Sequence, residues 1–102
     1  MNTFLDFELQ NGDKIKLTLN LKRLLILKSK YKDIYDKVNR IITKGAEDIF
    51  DMVQVIYASY LCAFDNSLGT EPMSYEVFMD AIPQNINDIA TVVGDLIAPK
   101  KK

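Results

Sequence analysis

Residues 5–19 are LDFELQNGDKIKLTL, two alternating runs about Asn11-Gly12 that set how the rest of the chain must pack. Leu5, Phe7 and Leu9 alternate with Asp6, Glu8 and Gln10; beyond Asn11-Gly12, Ile15, Leu17 and Leu19 alternate with Lys14, Lys16 and Thr18. A period of two marks strands with one apolar face, and Asn-Gly between two such runs marks a hairpin turn. The register follows from pairing like with like. A two-residue turn at Asn11-Gly12 sets Leu9 opposite Lys14 and Phe7 opposite Lys16, mixing apolar and charged side chains on each face. A three-residue loop over Gln10, Asn11 and Gly12, with Gly12 at a left-handed bulge position, pairs Phe7 with Ile15, Leu5 with Leu17, Glu8 with Lys14 and Asp6 with Lys16. The second register is therefore expected. A two-stranded hairpin is marginal in water, so its apolar face must lie on helices or be joined by strands of another copy. Its open edge is a candidate docking site.

From Asn20, which reads as an N-cap, the period becomes helical: Leu21, Leu24 and Leu25, then Tyr31, Ile34, Tyr35, Val38, Ile41 and Ile42. One long helix or two shorter ones fit, with Ser29 to Lys32 as the place for a break and Lys44-Gly45 as the stop. Lys22 and Arg23 lie at the positive end of this helix, an unfavourable place that points to acids elsewhere as their partners. A central helix follows over roughly Ala46 to Asp65, carrying Ile49, Met52, Val53, Ile56, Tyr57, Tyr60, Leu61 and Phe64, with Phe50 and Val55 widening the apolar arc. Its small side, Ala58, Ser59 and Cys62, lets a second helix approach closely. Asn66 to Pro72 reads as a loop. Ser74 caps a short helix through Val77, Phe78, Ala81 and Ile82, ended by Pro83, and a last helix runs from about Asn87 through Ile89, Val93, Leu96 and Ile97 to Pro99.

The expected class is mainly α with a small N-terminal β-hairpin (α+β), a compact bundle of four to five helices. A chain of 102 residues makes one domain that buries roughly 60–65% of its unfolded surface without a disulfide or metal. The domain is expected over residues 1–99, hairpin 1–19 and bundle 20–99, with residues 100–102 a charged, solvated tail. The single Cys62 excludes an intramolecular disulfide, and its apolar surroundings mark a small core residue in a reduced compartment. The opening residues have no basic and apolar leader pattern, and no apolar run approaches the roughly 18 residues of a membrane span. A soluble, unprocessed, cytoplasmic chain is expected, bound to no membrane.

Charge is sorted along the chain. Residues 20–44 hold eight Lys/Arg against Asp33 and Asp36, whereas residues 45–99 hold nine acids and no base. Two readings fit. In one, basic and acidic helices pack side by side and pair across their rim, which contributes little. In the other, the two signs are complementary surfaces on different copies, a head-to-tail contact that builds rings or open arrays, with Lys30, Lys37 and Lys44 as candidate self-association residues. Nucleic-acid binding by the basic run is disfavoured. Asp33–Lys37 and Asp36–Arg40 stand at the favourable helical pair spacing, and Tyr31 and Tyr35 fall on the apolar stripe rather than on a stacking platform.

Catalysis finds no support. The chain has no His and one Cys, so no Ser-His-Asp set, Cys-His pair or metal cluster can be assembled, and its isolated glycines make no phosphate loop. No cofactor is expected. Glu47 and Asp48, at the start of a helix, answer its dipole. What remains is protein binding, with Phe7, Met52, Tyr57, Tyr60 and Phe64 as candidate contact residues. The plainer reading of Tyr57 and Tyr60 is core with hydroxyls at the rim, while Met52, Met73 and Met79 can furnish an adaptable groove.

Taken in order, the hairpin Phe7-Glu8-Leu9-Gln10-Asn11-Gly12-Asp13, the Leu/Lys-rich helix leading to Tyr31, the central Ile56-Tyr57-Ala58-Ser59-Tyr60-Leu61 and the late Ser74-Tyr75-Glu76-Val77-Phe78 resemble the tail assembly chaperones of long-tailed bacteriophages and prophages of Gram-positive hosts. The resemblance implies a non-enzymatic homo-oligomer in the host cytoplasm that binds the helix-rich tape measure protein and keeps it soluble during tail assembly. It also implies a gene in which a frameshift near Lys100-Lys101-Lys102 makes an extended form. The competing expectation is a small regulatory adaptor or inhibitor that forms a one-to-one complex with a globular partner.

Overall fold

The computed structural model describes residues 4–64 and 71–97. Strands β1 (Leu5–Glu8) and β2 (Lys14–Leu17) form an antiparallel pair with Leu5 opposite Leu17, Asp6 opposite Lys16, Phe7 opposite Ile15 and Glu8 opposite Lys14. This is the register that like-with-like pairing predicts. The turn is the three-residue type: Leu9 donates to the Asp13 carbonyl at 2.7 Å and Gly12 donates to the Leu9 carbonyl at 3.0 Å. Gly12 sits at φ +94°, where a side chain would be strained. Phe7, Leu9, Leu17 and Leu19 are buried on the inner face, and Asp6, Glu8, Lys14 and Lys16 are exposed on the outer one.

Five helices follow: α1 (Leu21–Lys30), α2 (Lys32–Lys44), α3 (Ile49–Ala63), α4 (Tyr75–Ala81) and α5 (Ile86–Ile97). The protein is mostly helical with an N-terminal hairpin, packed into 34 × 30 × 29 Å. Asn20 caps α1 by accepting from the Lys22 and Arg23 amides. The break falls at Tyr31 alone, whose N–H ends α1 on the Leu27 carbonyl and whose carbonyl starts α2 by accepting from Tyr35. A continuous helix over residues 21–44 would be about 36 Å long, whereas α3 measures about 22 Å. Folding the rod at Tyr31 lets both halves lie on α3. Gly45, at φ +95°, donates to the Ile41 carbonyl and ends α2.

Helix α3 starts at Ile49, three residues after Ala46. The Asp48 carboxylate accepts from the Asp51 amide, and the Asp51 carboxylate reaches back to the Glu47 amide at 2.8 Å, which fixes the entry. From Val55 to Tyr60 every residue is buried, because α3 touches β2 and all four other helices. Its small side behaves as expected: Ala58 and Cys62 meet Leu27 of α1 and Val38 of α2. The Thr18 amide donates to the Ser59 carbonyl at 3.1 Å, tying the end of the hairpin to the same helix.

Ser74 caps α4 through the Val77 amide, and Asn85 caps α5 by accepting from the Asn87 and Asp88 amides, so α5 begins at Ile86. Residues 71–74 are irregular. The rest of the expected Asn66–Pro72 loop, the Pro99 stop and the Lys100–Lys102 tail lie outside the described residues. No helix of the described residues is long and apolar enough to cross a membrane.

Candidate functional site

The sequence candidates for protein contact divide by depth. Phe7, Tyr57 and Tyr60 are buried in the main core, and Met52 and Phe64 are half-buried against it. The Tyr57 hydroxyl donates to the Met73 carbonyl at 2.8 Å, and the Met73 amide donates to the Tyr60 hydroxyl at 2.9 Å. Two phenols on adjacent turns of α3 therefore grip both backbone polar groups of one residue, Met73, just before α4. Around them stand Tyr75, 5.2 Å from Tyr57 between ring centroids, and Phe78, 5.2 Å from Tyr57 and 5.1 Å from Tyr60. Burial holds the Tyr57 and Tyr75 phenols above their usual titration range. This aromatic set welds α4 to α3, and its rings contribute packing rather than accessible surface.

The apolar surface lies elsewhere. Leu21, Leu25, Phe50 and Ile86 are 77, 63, 63 and 61% exposed, and Ile26 and Val77 are also exposed. Leu21, Leu25 and Phe50 read as core positions in the sequence. In the fold Leu24 and Leu27 instead face α3 and Arg23 its end, leaving Leu21, Leu25 and Ile26 on the outer side with Lys22, Lys28 and Lys30. Phe50 stands in the first turn of α3, two residues after the Asp48 cap.

Lys30, Lys37 and Lys44 are all exposed, and none forms an ion pair among the described residues. One pair joins the basic and acidic segments: Arg40 to Asp51, at 3.6 Å. The expected Asp33–Lys37 and Asp36–Arg40 pairs do not form, since Asp36 turns back to Lys32 at 2.9 Å and Arg40 reaches across to α3. Among the described residues Arg23 forms no ion pair with an acid. Its Nη1 donates to the Cys62 carbonyl at 3.0 Å while its guanidinium lies 5.5 Å from the Phe4 ring centroid. Helix α3 has no basic residue in its own last turn, so Arg23 supplies from α1 the cation that this negative end favours.

Cys62 is buried and unpaired, and burial pushes its thiol from 9.0 up to about 12 despite the nearby Arg23. An unfolded chain releases that proton above about pH 9 while the native state holds it until about pH 12, so native stability falls as pH rises through this window. Between pH 8 and pH 11 the fall is expected to exceed that of Cys62→Ala by about 2–3 kcal/mol in urea titrations. Parallel falls in the two proteins would contradict a protonated native thiol.

No group of three or more His, Cys, Asp or Glu among the described residues is placed to hold a metal. Compared with known proteins, the chain matches no family model, no curated protein and no solved structure.

Proposed function

We propose that this chain is a non-enzymatic tail assembly chaperone of a long-tailed phage or prophage, which binds the tape measure protein, keeps it soluble and associates head to tail with its own copies. The observation that carries this reading is the separation of signs on the surface with so little internal pairing. Basic α1 carries exposed Leu21, Leu25 and Ile26; acidic α3, α4 and α5 carry exposed Phe50, Val77 and Ile86. Helices of each sign thus carry exposed apolar side chains, and Arg40–Asp51 is the one bridge between the two segments among the described residues. Apolar contact supplies affinity for amphipathic helices of a client, and opposite charge sets which faces of two copies meet.

The test is molar mass by light scattering across concentration, at low and high salt, for the native chain and for the triple variant Lys30→Glu, Lys37→Glu, Lys44→Glu. Growth beyond a dimer at low salt, reduced by salt and by the triple variant, is expected. A monomer under every condition would favour the one-to-one adaptor. Coexpression with the product of a long, helix-rich reading frame adjoining its gene is expected to yield a soluble complex.

A further inference from the structure

The outer edge of β1 faces a groove rather than open solvent. The Leu9–Asp13 hydrogen bond makes 9 and 13 a bonded pair, so by alternation Phe7 and Leu5 bond to β2 while the N–H and C=O groups of Asp6 and Glu8 point away from it. Those outward groups take no partner among the described residues. Beside them lies a groove of about 440 Å³, walled on the far side by Pro83 and by Asp88, Thr91 and Val92 of α5. The carboxylates of Glu8 and Asp88 form no ion pair among the described residues, and no basic side chain lines the groove.

We propose that this groove is a strand-addition site for an extended partner segment in which Lys or Arg alternates with aliphatic residues. Three demands fix that chemistry. The free N–H and C=O row of β1 requires an extended backbone, and a helix cannot satisfy it. Alternation then sends successive side chains to opposite sides, one set toward Val92 and Pro83, the other toward the outer face where Asp6 and Glu8 stand. The carboxylates require that second set to be cationic. The fold already contains such a segment: Lys14-Ile15-Lys16-Leu17 on the inner edge of β1, with Lys16 held by Asp6 at 2.6 Å. The outer edge offers the same strand a second time. A second copy's β2 is a poorer occupant, because it is bonded to its own bundle, which is about 30 Å across, and cannot enter a groove walled by α5. The site shares α5 with the acidic side proposed for self-association, but its occupant is recognised by the β1 edge, so peptide binding is read separately from oligomer size.

Fluorescence anisotropy of a labelled, end-blocked octapeptide of alternating Lys and Ile, titrated with the intact protein, tests the assignment. Saturable binding is expected, at least about tenfold weaker for an alternating Glu/Ile peptide and for the variant Glu8→Lys/Asp88→Lys, which replaces two exposed carboxylates. A Lys/Ile peptide N-methylated at alternate residues along one edge is expected to lose affinity to a similar extent. Equal binding of a block peptide of the same composition, or of the N-methylated one, would overturn strand addition in favour of unspecific charge attraction. An absence of binding overturns the proposal outright. A fall in molar mass of the peptide-free protein on Glu8→Lys alone, which leaves the acidic helices untouched, would assign the groove to a second copy, and a tenfold gain in peptide affinity on deleting residues 100–102 would assign it to the chain's own end; either result overturns the partner segment.

Discussion

Replacing Phe78 with Ala is expected to destabilise the protein by about 3–5 kcal/mol, seen as a large drop in the urea midpoint followed by circular dichroism. Phe78 is fully buried, stacks on Tyr60 at an interplanar angle of 26° and lies 5.2 Å from the Tyr57 ring. Helix α4 has only seven residues, with Phe78 its one fully buried side chain. Helices this short do not persist on their own, so their place depends on such anchors. The loss is a large fraction of the total stability of an ordinary domain. Val77→Ala, on the exposed side of the same helix, is expected to change stability by less than about 0.5 kcal/mol. Similar effects at both positions would contradict the described face of α4.

Leu17→Ala is expected to cost about 2–5 kcal/mol, because Leu17 is fully buried where β2 meets α3. Its neighbour in register, Ile15, is only half-buried, and Ile15→Ala is expected to cost about 1–2 kcal/mol. The contrast checks the register as well as the burial. A one-residue slip would carry Leu17 to the outer face and turn Lys14 and Lys16 inward, and truncating Leu17 would then cost almost nothing. Equilibrium unfolding of the two variants beside the native chain reads both outcomes.

The hairpin was legible residue by residue because alternation, the glycine at the left-handed position and the opposed charges Asp6–Lys16 and Glu8–Lys14 all select one pairing. The caps Asn20 and Ser74, and Gly45 at the end of α2, were legible for a similar reason, since each acts on amides or carbonyls within four residues. The phase of α1 was not. Leu21, Leu24, Leu25 and Leu27 offer several apolar arcs, and which of them is covered depends on where α3 and the hairpin come to rest. The contact that Arg23 makes with a backbone carbonyl 39 residues away was not legible, because it arises only when α1 packs on α3. The groove beside β1 was half visible: the sequence offered a free strand edge, but Pro83 and α5 form its wall only through tertiary packing. Tyr57 and Tyr60 showed the converse, since their pattern permitted both core and contact roles and only the position of Met73 separates them.

The tip of the hairpin has a consequence for how the chain is made. Gln10 donates from its backbone to the Ala81 carbonyl and from its side chain to the carbonyls of Asp80 and Ile82, closing the end of α4 from 70 or more positions upstream. A ribosome adding about 5–20 residues per second needs roughly 3–13 s to travel from the hairpin to those carbonyls. Throughout that interval Phe7, Leu9 and Leu17 lack part of their eventual cover, and the strand edges remain open to neighbouring nascent chains. Outward-facing Asp6, Glu8, Lys14 and Lys16 place charge along both edges during the same seconds, so the residues that set the register also guard the growing polypeptide against pairing with the wrong chain.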